Sequence, residues 1–422
     1  MSDVAQVQTE RLPWIIRALN VVEKVGNKLP HPFWLFWLLA LLLGITSAIM
    51  ATASVTVIEP GETEAVPVRN LFTPAGLSMA VDTALDNYAN FPPMITIVVV
   101  IMGVAIAERT GFLEAWMKQS VAKVPASLIV FVVAFLGTVA HVASAAAYVI
   151  LVPLGGIIFR AVGRSPVLGV VVAYTSIASG YDASPIPTPN DAIFAGITTA
   201  AARIVDPDAY VSPLSNWYFN IASSVLLALV ITIVTELVLA KRPGLSTVEE
   251  HEEETINLSR KEQIGLRLSG IAFLVILAIV LFLSLPENGP LRGEGGSLDD
   301  SPLLNGIAFI IALIFGITGT VYGIKVGKIT SAGDVPKLMA EGIRTMAPVL
   351  VLFFAIAQFL QYFDWTRIGD VVAVNTAELF RSIGLPIWAV FLLILVVLSI
   401  VNVLVTSGSA MWSIMAPVVA RC

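Results

Sequence analysis

The residues best equipped for chemistry crowd into one stretch, Gly180-Tyr181-Asp182-Ala183-Ser184-Pro185-Ile186-Pro187-Thr188-Pro189-Asn190-Asp191. Asp182, Ser184, Thr188, Asn190 and Asp191 supply hard oxygen donors that suit a proton or a small hard cation. Pro185, Pro187 and Pro189 forbid a continuous helix there, because each removes a backbone donor and clashes with the preceding turn. Residues 167–179 and 192–202, on either side, read as apolar helix. The stretch therefore reads as the unwound middle of a membrane-spanning helix. Lipid does not tolerate open backbone, so such a break belongs against protein or a watery cavity. Interrupted helices of this kind are where secondary transporters hold substrate and coupling ion. The competing reading is a loop between two short helices at the membrane surface. A simple helix cap competes for Asp182, and an N-cap role is favoured for Asp191.

The elements that must position this stretch are apolar. Of 422 residues, 57% are hydrophobic and 13% charged, with a mean hydropathy of +0.88, which fits a polytopic membrane protein and not a soluble domain. The charges, net -6, lie in loops and not on one basic face, so they say little about nucleic acid, and no nucleic-acid partner is expected. Cys422 is the single cysteine, so neither an internal disulfide nor a thiolate metal site is available. Arg11, Arg17, Lys24 and Lys28 precede the first apolar run without a cleavage site, placing residues 1–31 in the cytoplasm.

Five regions follow in order: the cytoplasmic segment 1–31; a first span and exterior loop over 32–73; a first repeat over 74–240; a connector with two spans over 241–333; and a second repeat over 334–422. Within the first repeat, residues 124–159 carry no Asp, Glu, Lys or Arg and have basic residues at both ends (Lys123, then Arg160 and Arg164). Two arms of about 15 residues, or ~22 Å each, predict a re-entrant hairpin with a small-residue tip around His141. The charged run 249–267 reads as a solvated connector. In the second repeat, residues 335–344 lead into an apolar run at 348–362, as 74–90 leads into 93–107, and a second hairpin follows. The two units start on opposite sides of the membrane, the signature of an inverted repeat. The expected fold is thus all-α and polytopic, with inverted repeats, broken transmembrane helices and two re-entrant hairpins. Asp182 lies 29 residues beyond Pro153, and the matching distance beyond Pro417 runs past residue 422, so the second repeat reads as incomplete.

A second polar cluster, Asn402 with Thr406-Ser407-Gly408-Ser409, is expected to meet the break near the midplane. Sodium near Asp182 or Asn402, with Ser407 assisting, and a proton on Asp182 are both open as the coupling ion. Trp412 is positioned to stack on an aromatic substrate or simply to pack.

Ala140-His141-Val142-Ala143-Ser144-Ala145-Ala146, Gly180-Tyr181-Asp182 with Pro187-Thr188-Pro189-Asn190-Asp191, and Ser407-Gly408-Ser409-Ala410-Met411-Trp412-Ser413 together resemble the bacterial aminobenzoyl-glutamate transporter (AbgT) family. The resemblance runs over nearly the whole chain. It implies an inner-membrane homodimer among lipids, with no cofactor, that moves p-aminobenzoyl-glutamate or exports sulfonamide-like antimetabolites on an ion gradient. It places Asp182, Ser409 and Trp412 on the substrate route, with Ser184, Thr188 and Asn190 beside Asp182. A sodium- or proton-coupled dicarboxylate transporter of the same superfamily is the alternative. An intramembrane protease is remote: Tyr181-Asp182 has no Gly-x-Gly-Asp partner elsewhere in the chain.

Overall fold

The computed structural model describes residues 30–58, 65–121, 124–143, 146–204, 206–242, 245, 258–297, 301–372, 374–375, 386–404 and 408–419. The chain is an all-α polytopic membrane protein. Its helices are α1 (Pro32–Thr52), α2 (Pro74–Asp82), α3 (Ala84–Ala89), α4 (Pro92–Arg109), α5 (Phe112–Val121), α6 (Ile129–Val139), α7 (Ala146–Ala161), α8 (Pro166–Ser179), α9 (Pro189–Ala202), α10 (Trp217–Leu237), α11 (Arg260–Ser284), α12 (Pro302–Asn305), α13 (Ile307–Val326), α14 (Asp334–Trp365), α15 (Ile387–Leu404) and α16 (Gly408–Val419). Among the described residues, seven helical segments are long and apolar enough to cross a membrane.

Three features differ from the sequence reading. Residues 51–73, read as a plain exterior loop, contain a two-stranded antiparallel ribbon, β1 (Thr56–Ile58) against β2 (Ala65–Pro67). The charged run read as connector is helical from Arg260, because Ser259 and Glu262 form a reciprocal capping box. In the second repeat, α14 runs unbroken through Pro348, whereas the first repeat divides the equivalent stretch into α2, α3 and α4.

The chain divides into two compact units. The first takes in residues up to Phe91, residues 200–209 and those from Leu350 onward; the second holds Pro92–Thr199 and Tyr210–Val349. In the first, aromatic rings from α1 and α3 meet the C-terminal half of α14: Phe36 lies 5.8 Å from Phe359 and Tyr88 5.4 Å from Phe354, both edge-on. Gln358 is buried there among apolar residues. It is satisfied on both ends, accepting from Asn87 Nδ2 at 3.0 Å and donating to the Ala84 carbonyl at 2.9 Å.

The second unit depends on small residues that let helices approach. Gly103 of α4 packs so closely on α13 that a Cβ there would collide with the Ala312 backbone, and one on Gly319 would collide with Ala107. Small residues of this spacing are how helices associate where lipid removes any hydrophobic drive. Gly103→Ala should therefore cost about 1–3 kcal/mol of stability by overpacking, and Gly103→Val more. Gly270→Ala is the control, since a Cβ on Gly270 meets nothing within 4 Å. Thermal melting of the detergent-solubilised protein checks this; equal melting temperatures for Gly103→Val and Gly270→Ala would contradict the packing argument.

Candidate functional site

The break lies wholly within the second unit, between α8 and α9. Each of these helices has 14 residues, about 21 Å of rise, too short to cross the roughly 30 Å hydrocarbon core alone. They make little side-by-side contact, so they do not form an ordinary antiparallel pair. Gly180 closes α8 by donating to the Ser176 carbonyl at 3.0 Å. Asp182 then adopts a left-handed conformation, φ 58°, which an acid or amide side chain tolerates better than most.

Asp182, Ser184 and Thr188 are all buried here, and the site closes around Thr188. Its hydroxyl contacts Asp182 Oδ1 at 2.6 Å and Asp191 Oδ2 at 3.0 Å. The Thr188 backbone N–H donates to Asp191 Oδ2 at 2.7 Å, and the Asp191 N–H returns to Thr188 Oγ1 at 3.3 Å. This is a capping box with Thr188 as the N-cap of α9. The sequence reading that favoured Asp191 as the cap is corrected: Asp191 is the third helical residue, reaching back. Asn190, the second residue of α9, is half-buried beside Asp191 in the same helical turn. Ser184 instead steadies the loop, its Oγ accepting from the Ile186 N–H at 3.2 Å.

Two residues of α10 complete the arrangement. Asn220 Nδ2 donates to Asp191 Oδ1 at 3.1 Å, and Trp217 Nε1 donates to the Pro185 carbonyl at 2.9 Å. Neither carries a sequence signal, because the contact depends on tertiary packing alone. His141, in the 3₁₀ turn Ala140–Ala143, is buried and hydrogen-bonds the Ile177 carbonyl through Nε2 at 3.0 Å. That carbonyl belongs to the last turn of α8, where intrahelical donors run out.

Asn402, Ser409 and Trp412 belong to the first unit. Asn402 lies in the last turn of α15 and is exposed; Ser409 and Trp412 are half-buried in α16. Ser407 and Thr406 lie outside the described residues. The structure thus brings Asp182, Thr188 and Asn190 together with Asp191 and Asn220.

Residues 17–421 match the AbgT transporter family. The p-aminobenzoyl-glutamate transport protein of Escherichia coli (strain K12) is 34% identical over 398 residues, covering 94% of this chain and 78% of that protein. Two solved structures are similar along nearly the whole chain. The MtrF protein of Neisseria gonorrhoeae, described as illuminating a class of antimetabolite efflux pumps, aligns with a TM-score of 0.90 and 32% identity over 96% of this chain and 83% of that one. The YdaH transporter of Alcanivorax borkumensis aligns at 0.84, also with 32% identity, over 92% and 82%. With a family match over nearly its full length, relatives above 30% identity and a helix broken around a pair of carboxylates, this chain belongs to the AbgT family of membrane transporters.

Proposed function

We propose that the chain is a secondary active transporter for aromatic carboxylates of the p-aminobenzoyl-glutamate kind, or an exporter of sulfonamide-like antimetabolites, driven by sodium or protons. The observation that carries the coupling is the single Thr188 hydroxyl lying between two carboxylates, Asp182 buried and Asp191 half-buried. That hydroxyl has one hydrogen, so it donates to one carboxylate while the other faces its lone pair. A proton or a small cation at the pair resolves the repulsion, and buried carboxylates are otherwise costly. Neutralisation by the driving ion then licenses the substrate-loaded state to cross. The curated relative supplies the substrate class. The family setting supports a homodimer in a bacterial inner membrane with a cytoplasmic N-terminus. Ser409 and Trp412 would meet the substrate, Asn402 and Ser407 would assist the ion, and the repeats 74–240 and 334–422 would be the moving framework.

The test is flux of labelled p-aminobenzoyl-glutamate and a labelled sulfonamide in proteoliposomes, with sodium, proton and voltage gradients imposed one at a time. Coupling to one elementary charge at 100 mV is worth about 2.3 kcal/mol, enough for roughly 50-fold accumulation. Gradient-dependent accumulation well above equilibrium is expected. Flux that only equalises concentrations under every gradient overturns active transport.

A further inference from the structure

Apart from the break, the second unit contains a cavity of about 750 Å³ lined by α5, the 3₁₀ turn Ala140–Ala143, the N-terminal half of α11 and the middle of α13, a size typical of small-molecule sites. Its lining is ordered. Gln263, Arg267, Gly270 and Phe273 follow one another at spacings of three and four along α11, so they share one helix face. The polar end of that face holds Gln263 and Arg267. The apolar end reaches Phe273, which joins Phe112, Trp116 and Phe315 from the surrounding elements. Arg267 and Phe273 are six positions apart, about 9 Å of helix rise, the reach of an aromatic ring joined through an amide to a carboxylate. Among the described residues, no carboxylate lies within ion-pair distance of Arg267. Ile186 also lines the cavity, four residues from Asp182 and two from Thr188.

We infer that this cavity is a docking subsite for an aromatic acid, holding the ring among the four aromatic side chains and the carboxylate on Arg267. The inference rests on the transport reading above and adds a place and a recognition chemistry to it. Guanidinium is suited to planar anions, and aromatic faces hold an aryl group without selecting among substituents. A ligand seated here touches both the 3₁₀ turn and the loop that carries Asp182. Occupancy and the state of the carboxylate pair are therefore in mechanical contact.

The test is equilibrium binding to the purified full chain with two probes, p-aminobenzoyl-glutamate and the uncharged sulfanilamide. Gly270→Trp extends an indole into open space within the cavity and should weaken both probes by about tenfold or more. Arg267→Gln removes only the charge; losing one charge-assisted contact should weaken p-aminobenzoyl-glutamate roughly tenfold and change sulfanilamide by less than about twofold. Arg267→Lys should recover part of the loss. Melting temperatures near that of the unmodified protein verify folding of each variant. Unchanged affinity for both probes in Arg267→Gln and Gly270→Trp overturns the subsite, as does equal weakening of both probes by Arg267→Gln. If gradient-driven flux persists with unaltered KM in these variants, the transport reading stands and the subsite alone falls. If the unmodified chain shows no accumulation under any gradient, the transport reading falls by its own experiment, whatever the binding result.

Discussion

Asp182→Asn is expected to abolish gradient-driven transport, by about 100-fold or more, while leaving the protein folded and inserted. The asparagine is nearly isosteric. It keeps an oxygen for the Thr188 hydroxyl, now 2.6 Å from Asp182 Oδ1, so the change in stability should stay near or below about 1 kcal/mol. It also keeps the left-handed backbone at φ 58°, which asparagine adopts readily. Alanine is the poorer probe here: it would strain the same backbone by roughly 1–2 kcal/mol and strand the hydroxyl, so loss of function would be confounded with loss of fold. What asparagine cannot do is carry the negative charge that a proton or cation must neutralise. Substrate binding can survive in the variant, since the amide resembles the neutralised acid. The measurement is initial transport rate against imposed sodium and pH gradients, with melting temperature and surface yield alongside. An undiminished rate in Asp182→Asn would return this residue to the role of a loop-stabilising polar group.

How much of this was readable beforehand depends on whether the signal is local. The break was legible because Pro185, Pro187 and Pro189 are local instructions, and no packing reinstates the missing N–H groups. The roles within it were only half legible. Thr188-Pro189-Asn190-Asp191 has the spacing of a capping box, yet the acid alone reads as the cap in the sequence; the hydrogen bonds assign the cap to Thr188. Ser259 and Glu262 repeat the lesson in α11, where mixed charge suggested a connector although the box announces a helix start. Asn220 and Trp217 were invisible, because nothing in their own neighbourhood marks which face of α10 meets the loop. Proline also behaves differently by position. Pro92 and Pro93 open α4, where the first N–H groups need no intrahelical partner. Pro348 sits deep in the 32-residue α14, whose length and packing absorb one lost bond. The repeat was therefore easier to see in residue chemistry than in helix boundaries.

The second large effect is expected at Thr188, where a valine substitution separates capping from coupling. Valine matches threonine in shape, so the buried packing is retained while the hydroxyl is lost. Three interactions go with it: the donation to Asp182 at 2.6 Å, the contact with Asp191 at 3.0 Å and the cap on the Asp191 N–H at 3.3 Å. The cap alone is worth about 1–2 kcal/mol, which predicts a lower melting temperature in a protein that still folds. The larger consequence follows from the two carboxylates. With no hydroxyl between them, the repulsion must be relieved by the bound ion alone, and the oxygen set around that ion is one donor short. The concentration of driving ion needed for half-maximal transport should shift by roughly tenfold or more, about 1.4 kcal/mol of lost or redistributed ion affinity. Thr188→Ser restores the hydroxyl and should restore both the melting temperature and the ion dependence. A purely structural residue behaves otherwise: the valine variant would melt earlier, yet the fraction that folds would show the unmodified ion dependence. Transport titrated against sodium and against pH in Thr188→Val and Thr188→Ser distinguishes the two. An unshifted ion dependence in the valine variant would leave Thr188 as a helix cap and move the coupling function to the carboxylates and whatever ion they hold.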